Sequence, residues 1–158
     1  MIRLKESIKK LLHIDDTPER TALAFSIGIF LGFSPFLGFH TLGGMAIAFL
    51  FGLNRVALLL GVWTNTPWGL LPYYTFATWL GMKVIGYQFD YSTIKEIFRL
   101  GMEKGFFNMD FWRGISSQKG LFLSFHVGSL LLSTFFALVA YPLSLKWIRF
   151  YRSRLLRS

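Results

Sequence analysis

Six hydrogen-bonding side chains fall in two short clusters inside otherwise uncharged apolar sequence. Ser34, His40 and Thr41 form the first; Thr64, Asn65 and Thr66 form the second. The first interrupts the run Thr21–Asn54 at Ser34-Pro35-Phe36-Leu37-Gly38-Phe39-His40-Thr41. The second interrupts Val56–Met82 at Thr64-Asn65-Thr66-Pro67-Trp68-Gly69. Hydroxyls and an amide at the ends of broken helices can hold an anionic or dipolar group, because half-helix N-termini carry partial positive charge. His40 adds a titratable ring suited to a proton relay or to a lipid headgroup. The competing reading is structural. Both breaks would then be packing kinks whose freed carbonyls are satisfied by local Ser and Thr. His40 would cap the following half-helix or bond Asn65. His126, near the start of a third apolar run, could approach the same site; His13 reads as an ordinary interfacial residue.

Other chemistries lack their residues. With no Cys and no carboxylate inside the apolar runs, no metal shell can be completed, so neither a metal nor another cofactor is expected. No phosphate loop, nucleophile elbow or paired intramembrane carboxylate is present, so no catalytic residue and no enzyme activity are expected. Asp15-Asp16 reads as a capping pair. Pro35, Gly38, Pro67 and Gly69 are the residues expected to make the breaks, through a missing amide donor or through backbone freedom.

The elements that must position these clusters follow from composition. Of 158 residues, 53% are hydrophobic and only 16% charged, against roughly 25% for a soluble domain. Such a chain reads as an all-α integral membrane protein. The net charge of +9 is concentrated at the two ends. Arg3, Lys5, Lys9, Lys10 and Arg20 precede the first apolar run, and Lys146, Arg149, Arg152, Arg154 and Arg157 follow the last. Basic flanks of this kind set topology and bind anionic lipid, so membrane lipids rather than nucleic acid are the expected partner. The N-terminus has no continuous apolar stretch and does not read as a cleavable signal peptide.

Residues 1–16 are expected to form an interfacial amphipathic helix, with Leu4, Ile8, Leu11 and Leu12 on one face. Residues 17–53 should form a broken hairpin. Asp16 caps its start, a helix covers Thr21–Phe33, and a second runs from His40 or Thr41 to Leu53. Each half has ~13 residues and spans about 20 Å, short of the ~30 Å hydrocarbon core. A re-entrant hairpin with its tip at Ser34–His40 is therefore favoured over two tilted spans. Residues 54–87 should form a broken transmembrane helix, with Trp68–Tyr87 crossing and Pro72 kinking it. Residues 88–119 read as a polar loop with interfacial helices, and 120–158 as an intact transmembrane helix with a basic tail.

Basic ends place both termini in the cytoplasm and residues 88–119 outside. Arg55, Arg149 and Arg152 are candidate lipid-headgroup contacts; for Arg55 the competing role is a topology-setting charge. Gly43, Gly44, Ala46 and Ala48 offer a close-approach face for a second copy, so a homo-oligomer is expected. The same residues could instead pack within one chain.

From Pro18 to Gly86 the chain resembles the bacterial membrane family called domain of unknown function 2062. The resemblance rests on Gly32-Phe33-Ser34-Pro35-Phe36-Leu37-Gly38-Phe39-His40-Thr41, on Leu53-Asn54-Arg55, on Trp63-Thr64-Asn65 followed by Pro67, and on Leu80-Gly81. Family members usually carry Asn directly before Pro at the second break; here Thr66 intervenes. The resemblance implies a small polytopic inner-membrane protein, sometimes joined to glycosyltransferase domains, and hence a membrane-associated glycosyltransferase as a candidate partner. It implies no established activity. The residues suggest a transporter-like or lipid-handling protein, or alternatively an accessory subunit for an enzyme of lipid-linked sugar metabolism.

Overall fold

The computed structural model describes residues 16–36, 39–88 and 119–155, together with Ser92, Lys95, Arg99, Glu103, Met109 and Arg113. The expected interfacial helix at the N-terminus and the break residue Gly38 lie outside the described residues. So does most of 88–119, where Arg99 and Glu103 form an i,i+4 pair at 3.1 Å. Among the described residues the structure is all helical: α1 Pro18–Phe33, α2 His40–Leu50, α3 Arg55–Val62, α4 Pro67–Ile85 and α5 Lys119–Leu155. The chain divides into two compact units, with boundaries after Leu70 and after Ser129.

The start of α1 corrects one expectation. Thr17, not Asp16, is the N-cap, with its hydroxyl accepting from the Arg20 amide. The residue before a proline is driven into extended backbone, which is the conformation a cap requires; Thr17 has φ −64° and ψ 152°. Asp16 instead accepts from the Thr17 amide and pairs with Arg20 Nε at 3.2 Å. α1 stops at Ser34, immediately before Pro35, as expected.

α2 ends at Leu50 rather than Leu53. Gly52 adopts φ 58°, and the Leu53 amide reaches back to Ala48 O at 2.9 Å. This is the left-handed C-terminal motif that glycine accommodates without Cβ strain. Asn54 then caps α3, its Oδ1 accepting from the Ala57 amide at 3.0 Å.

In the first unit α1 and α3 cross backbone to backbone. A Cβ on Gly28 would collide with Leu58 O, and one on Gly61 with Phe25 O. Around this crossing the core gathers Ala24, Ala48, Leu53, Ala57, Leu58 and Val62. Gly44 and Ala48 are buried against it, Gly44 facing the Leu58 and Val62 side chains. Half of the face expected to meet another copy is therefore an intrachain contact. The later part of α5 runs antiparallel to α1. Phe136 meets Phe33 edge-on at 5.2 Å, Ala137 O accepts from Ser26 Oγ at 2.6 Å, and Arg149 pairs with Glu19 at 2.7 Å.

In the second unit α4 packs on the first part of α5 by the same device. A Cβ on Gly81 would overlap Ser124 O, and one on Gly128 would overlap Ala77 O. α4 is long enough to cross a bilayer, but among the described residues only Lys119–Ser153 is both long and apolar enough. Thr75, Thr78, two tyrosines and Lys83 hold α4 below that level of apolarity. Pro72 lies inside α4, and Pro142, unremarked in the sequence, lies inside α5.

Candidate functional site

α1 leads away from the charged end at Asp16–Arg20, α2 returns toward it, and α3 leads away again. The first unit thus has two chemically different ends. One carries the charged residues and the Phe51–Arg55 turn; the other carries both breaks.

At the break end the two interruptions are joined. Asn65 Nδ2 donates to Gly32 O at 2.9 Å, and a Cβ on Gly32 would meet Val62 O. Gly32 lies in the last turn of α1, whose carbonyls have no helical partner. Asn65 therefore satisfies one of the carbonyls that the Ser34-Pro35 break sets free. Ser34 is buried, with Oγ donating to Leu31 O at 2.7 Å. Pro35 is buried beside it. Thr64 is exposed and donates to Leu60 O at 3.0 Å. Thr66 is exposed, and its carbonyl accepts the Gly69 and Leu70 amides that begin α4. Pro67 is the first residue of α4, and Gly69 lies half-buried in its first turn. His40 and Thr41 open α2, both half-buried. The position before them, Phe39, makes no side-chain cap. His126 lies in the second unit, where Nδ1 is 2.9 Å from Phe122 O, a contact that needs the proton on Nδ1.

The charged end is built from residues whose roles sequence reasoning passed over. Arg20 Nη2 donates to Gly52 O at 2.9 Å and to Phe51 O at 3.4 Å, capping the end of α2. No local sequence signal marks this contact, since its partners lie 31 and 32 residues away. Asn54 did carry a signal: an Asn immediately before an apolar run is a cap pattern. Of the headgroup candidates, the Arg55 guanidinium lies 3.9 Å above the Phe49 ring. Arg149 bonds Glu19, and Arg152 donates to Asp16 O at 2.7 Å. Arg149 and Arg152 thus fasten α5 to the start of α1.

Hydrogen bonding by Arg149, the largest cause, and the Glu19 backbone hold the Glu19 carboxyl below its ordinary value of 4.5. A depressed carboxylate contributes stability above its unfolded pKa and loses it as pH falls through the folded one. The melting temperature of the solubilised protein should therefore fall on acidification below about pH 4.5, and part of that slope should be missing in Glu19→Gln. An unchanged acid limb in Glu19→Gln would show that the pair does not couple α1 to α5. Both partners are largely exposed, so high salt should weaken the effect.

α5 shows how polar residues sit in an apolar helix. Ser124, Ser133, Thr134 and Ser144 each donate to a carbonyl three or four residues earlier on the same helix. In its most apolar window only 22% of residues are buried, whereas a soluble core helix would be mostly buried. Phe135, Leu138 and Leu143 are among the large apolar side chains left exposed.

The class is thus an all-helical chain, among its described residues, with one helix long and apolar enough to cross a bilayer. The chain belongs to the family described as an uncharacterized protein conserved in bacteria (DUF2062), whose model matches residues 2–157. The match extends the resemblance read from Pro18–Gly86 over almost the whole chain. Neither the curated proteins nor the solved structures gave a match.

Proposed function

We propose that this is a non-enzymatic integral protein of the bacterial inner membrane that handles lipid or another amphiphile at the joined breaks. Ser34, His40 and Thr41 would border one side of the site; Thr64, Asn65 and Thr66 would border the other. The observation that carries the reading is the Asn65–Gly32 hydrogen bond, which brings the second break onto the end of the first. Irregular backbone at membrane depth is tolerated where protein buries it or water reaches it. α1 and α2, at 16 and 11 residues, are about 24 and 17 Å long. Both fall short of a ~30 Å hydrocarbon core, which supports a re-entrant hairpin opening on the cytoplasmic side. Both termini would then be cytoplasmic, with α5 as a full span.

A second reading is a structural or accessory subunit, alone or with further copies, partnering a membrane-associated glycosyltransferase. It is favoured by the hydroxyls of Ser34 and Thr64, which donate to their own helices rather than toward a ligand. A lipid-scrambling assay separates the two. Purified protein is reconstituted into liposomes with a fluorescent phospholipid, and a membrane-impermeant quencher is added. The lipid-handling reading expects faster access to inner-leaflet lipid than in empty liposomes, reduced by His40→Ala. Equal rates with and without protein would remove it and leave the accessory reading.

A further inference from the structure

Between α1 and α2 a groove of about 480 Å³ is lined by Arg20, Leu23, Ile27, Ile47, Phe51 and Leu53. Among the described residues that line it, Arg20, ion-paired with Asp16, is the only charged one. We infer that this groove holds an acyl chain of an anionic phospholipid, whose phosphate is bound by Arg20. The inference rests on the membrane reading above but on a different site from the breaks.

The chemistry of the groove changes once along its length. Arg20, Leu23 and Ile27 follow one another at spacings of three and four, and so share a face of α1. From Arg20 to Ile27 the helix rises about 10 Å. Beyond the guanidinium the lining side chains are all hydrocarbon. A peptide strand or loop laid there would leave its amides unpaired, which is costly away from water. A hydrocarbon chain needs no partner. One cationic end followed by an apolar slot is complementary to an amphiphile with one anionic end.

Arg20 is prepared for such a head. Nε pairs with Asp16 Oδ1, and Nη2 donates to Phe51 O and Gly52 O. A guanidinium has five N–H donors. The two on Nη1 make no bond among the described residues, and the side chain is 51% exposed. The group is thus oriented by three anchors and keeps the donors of one nitrogen unbonded among the described residues, which suits it to a phosphate oxygen. Arg20 also lies in the first turn of α1, where the helix dipole favours an anion. A neighbouring groove of about 290 Å³ shares Leu23 but has no charged residue among the described residues that line it. It therefore lacks the feature that would select a headgroup.

The test uses the full chain in phosphatidylcholine nanodiscs containing a minor fraction of phosphatidylglycerol. The protein is moved to mild detergent, and retained lipid is counted by native mass spectrometry. Wild type should retain phosphatidylglycerol in preference to phosphatidylcholine. Leu23→Trp obstructs the groove from its exposed lip and leaves Arg20 in place; it should lower retention of both lipids about tenfold, the factor carried by 1.4 kcal/mol. Arg20→Gln should abolish the headgroup preference. Because Arg20 also caps α2, that variant counts only with a wild-type helical spectrum, and Leu23→Trp decides otherwise. Undiminished phosphatidylglycerol on Leu23→Trp overturns the inference. So does a change in oligomeric mass with lipid content unaltered, which would put a second copy in the groove. Release of the wild-type chain from membranes by alkaline carbonate would remove the membrane reading and the inference with it. An embedded chain whose Leu23→Trp variant keeps its lipid removes the inference alone.

Discussion

Replacing Gly61 with leucine should prevent the first unit from folding. The added Cβ would fall on Phe25 O and within 3 Å of Gly28 Cα and Ile29 N, all backbone atoms that no rotamer change can move. Overpacking where side chains can adjust costs 1–3 kcal/mol. Here α1 and α3 must separate, so the expected loss is about 3 kcal/mol or more, a large share of the 5–15 kcal/mol that typically holds a domain. Fluorescence-detected gel filtration should show loss of the monodisperse peak, and Gly28→Leu should behave alike. Gly43→Ala is the control. A Cβ there meets nothing within 4 Å, and a helical glycine replaced by alanine gains ~1 kcal/mol in helix propensity. A well-folded Gly61→Leu protein would mean that the crossing is not what holds the unit together.

Asn65 should prove nearly as sensitive, and its substitutions distinguish a strut from a ligand contact. Asn65→Leu removes the donor to Gly32 O and leaves the carbonyl of a buried residue unpaired, at a cost of ~1–3 kcal/mol. Asn65→Asp keeps the shape but turns a carboxylate toward that carbonyl, and should be at least as damaging. The melting temperature of the solubilised protein should drop by several degrees in both. If both variants keep the wild-type melting temperature while lipid scrambling is lost, Asn65 acts on a ligand rather than as a clamp. If stability falls in both, the amide joins the two breaks, whatever the site between them handles.

The charge-free runs, their polar interruptions and the basic ends were legible because each is a local property of the chain. Pro35 removes a donor and constrains its neighbour, so the end of α1 at Phe33 follows from the sequence. Pro67 opens α4 for the same reason. The helical class and the long apolar C-terminal helix follow from the lack of charge between Gly120 and Leu145. Other features required the chain to meet itself. Gly61 reads from the sequence as a close helix contact, and the fold bears this out, whereas Gly28, Gly81 and Gly128 carry no signal beyond their size; only the fold shows that the four bring backbones into contact in pairs. Gly44 and Ala48 looked available to another copy until α3 was seen to cover them. Arg20 read as one flank charge among several, yet it closes the end of α2, because a guanidinium can reach two carbonyls that chain order separates by a whole hairpin. Thr17 displaced Asp16 as a cap through the conformation Pro18 imposes, a local effect that could have been foreseen. Sequence by itself determined where the backbone must break and which stretches avoid water, since proline geometry and desolvation act residue by residue. Tertiary structure decided which freed carbonyls meet which donors, as in the bond from Asn65 to Gly32, because hydrogen bonds between helices depend on how closely their backbones approach.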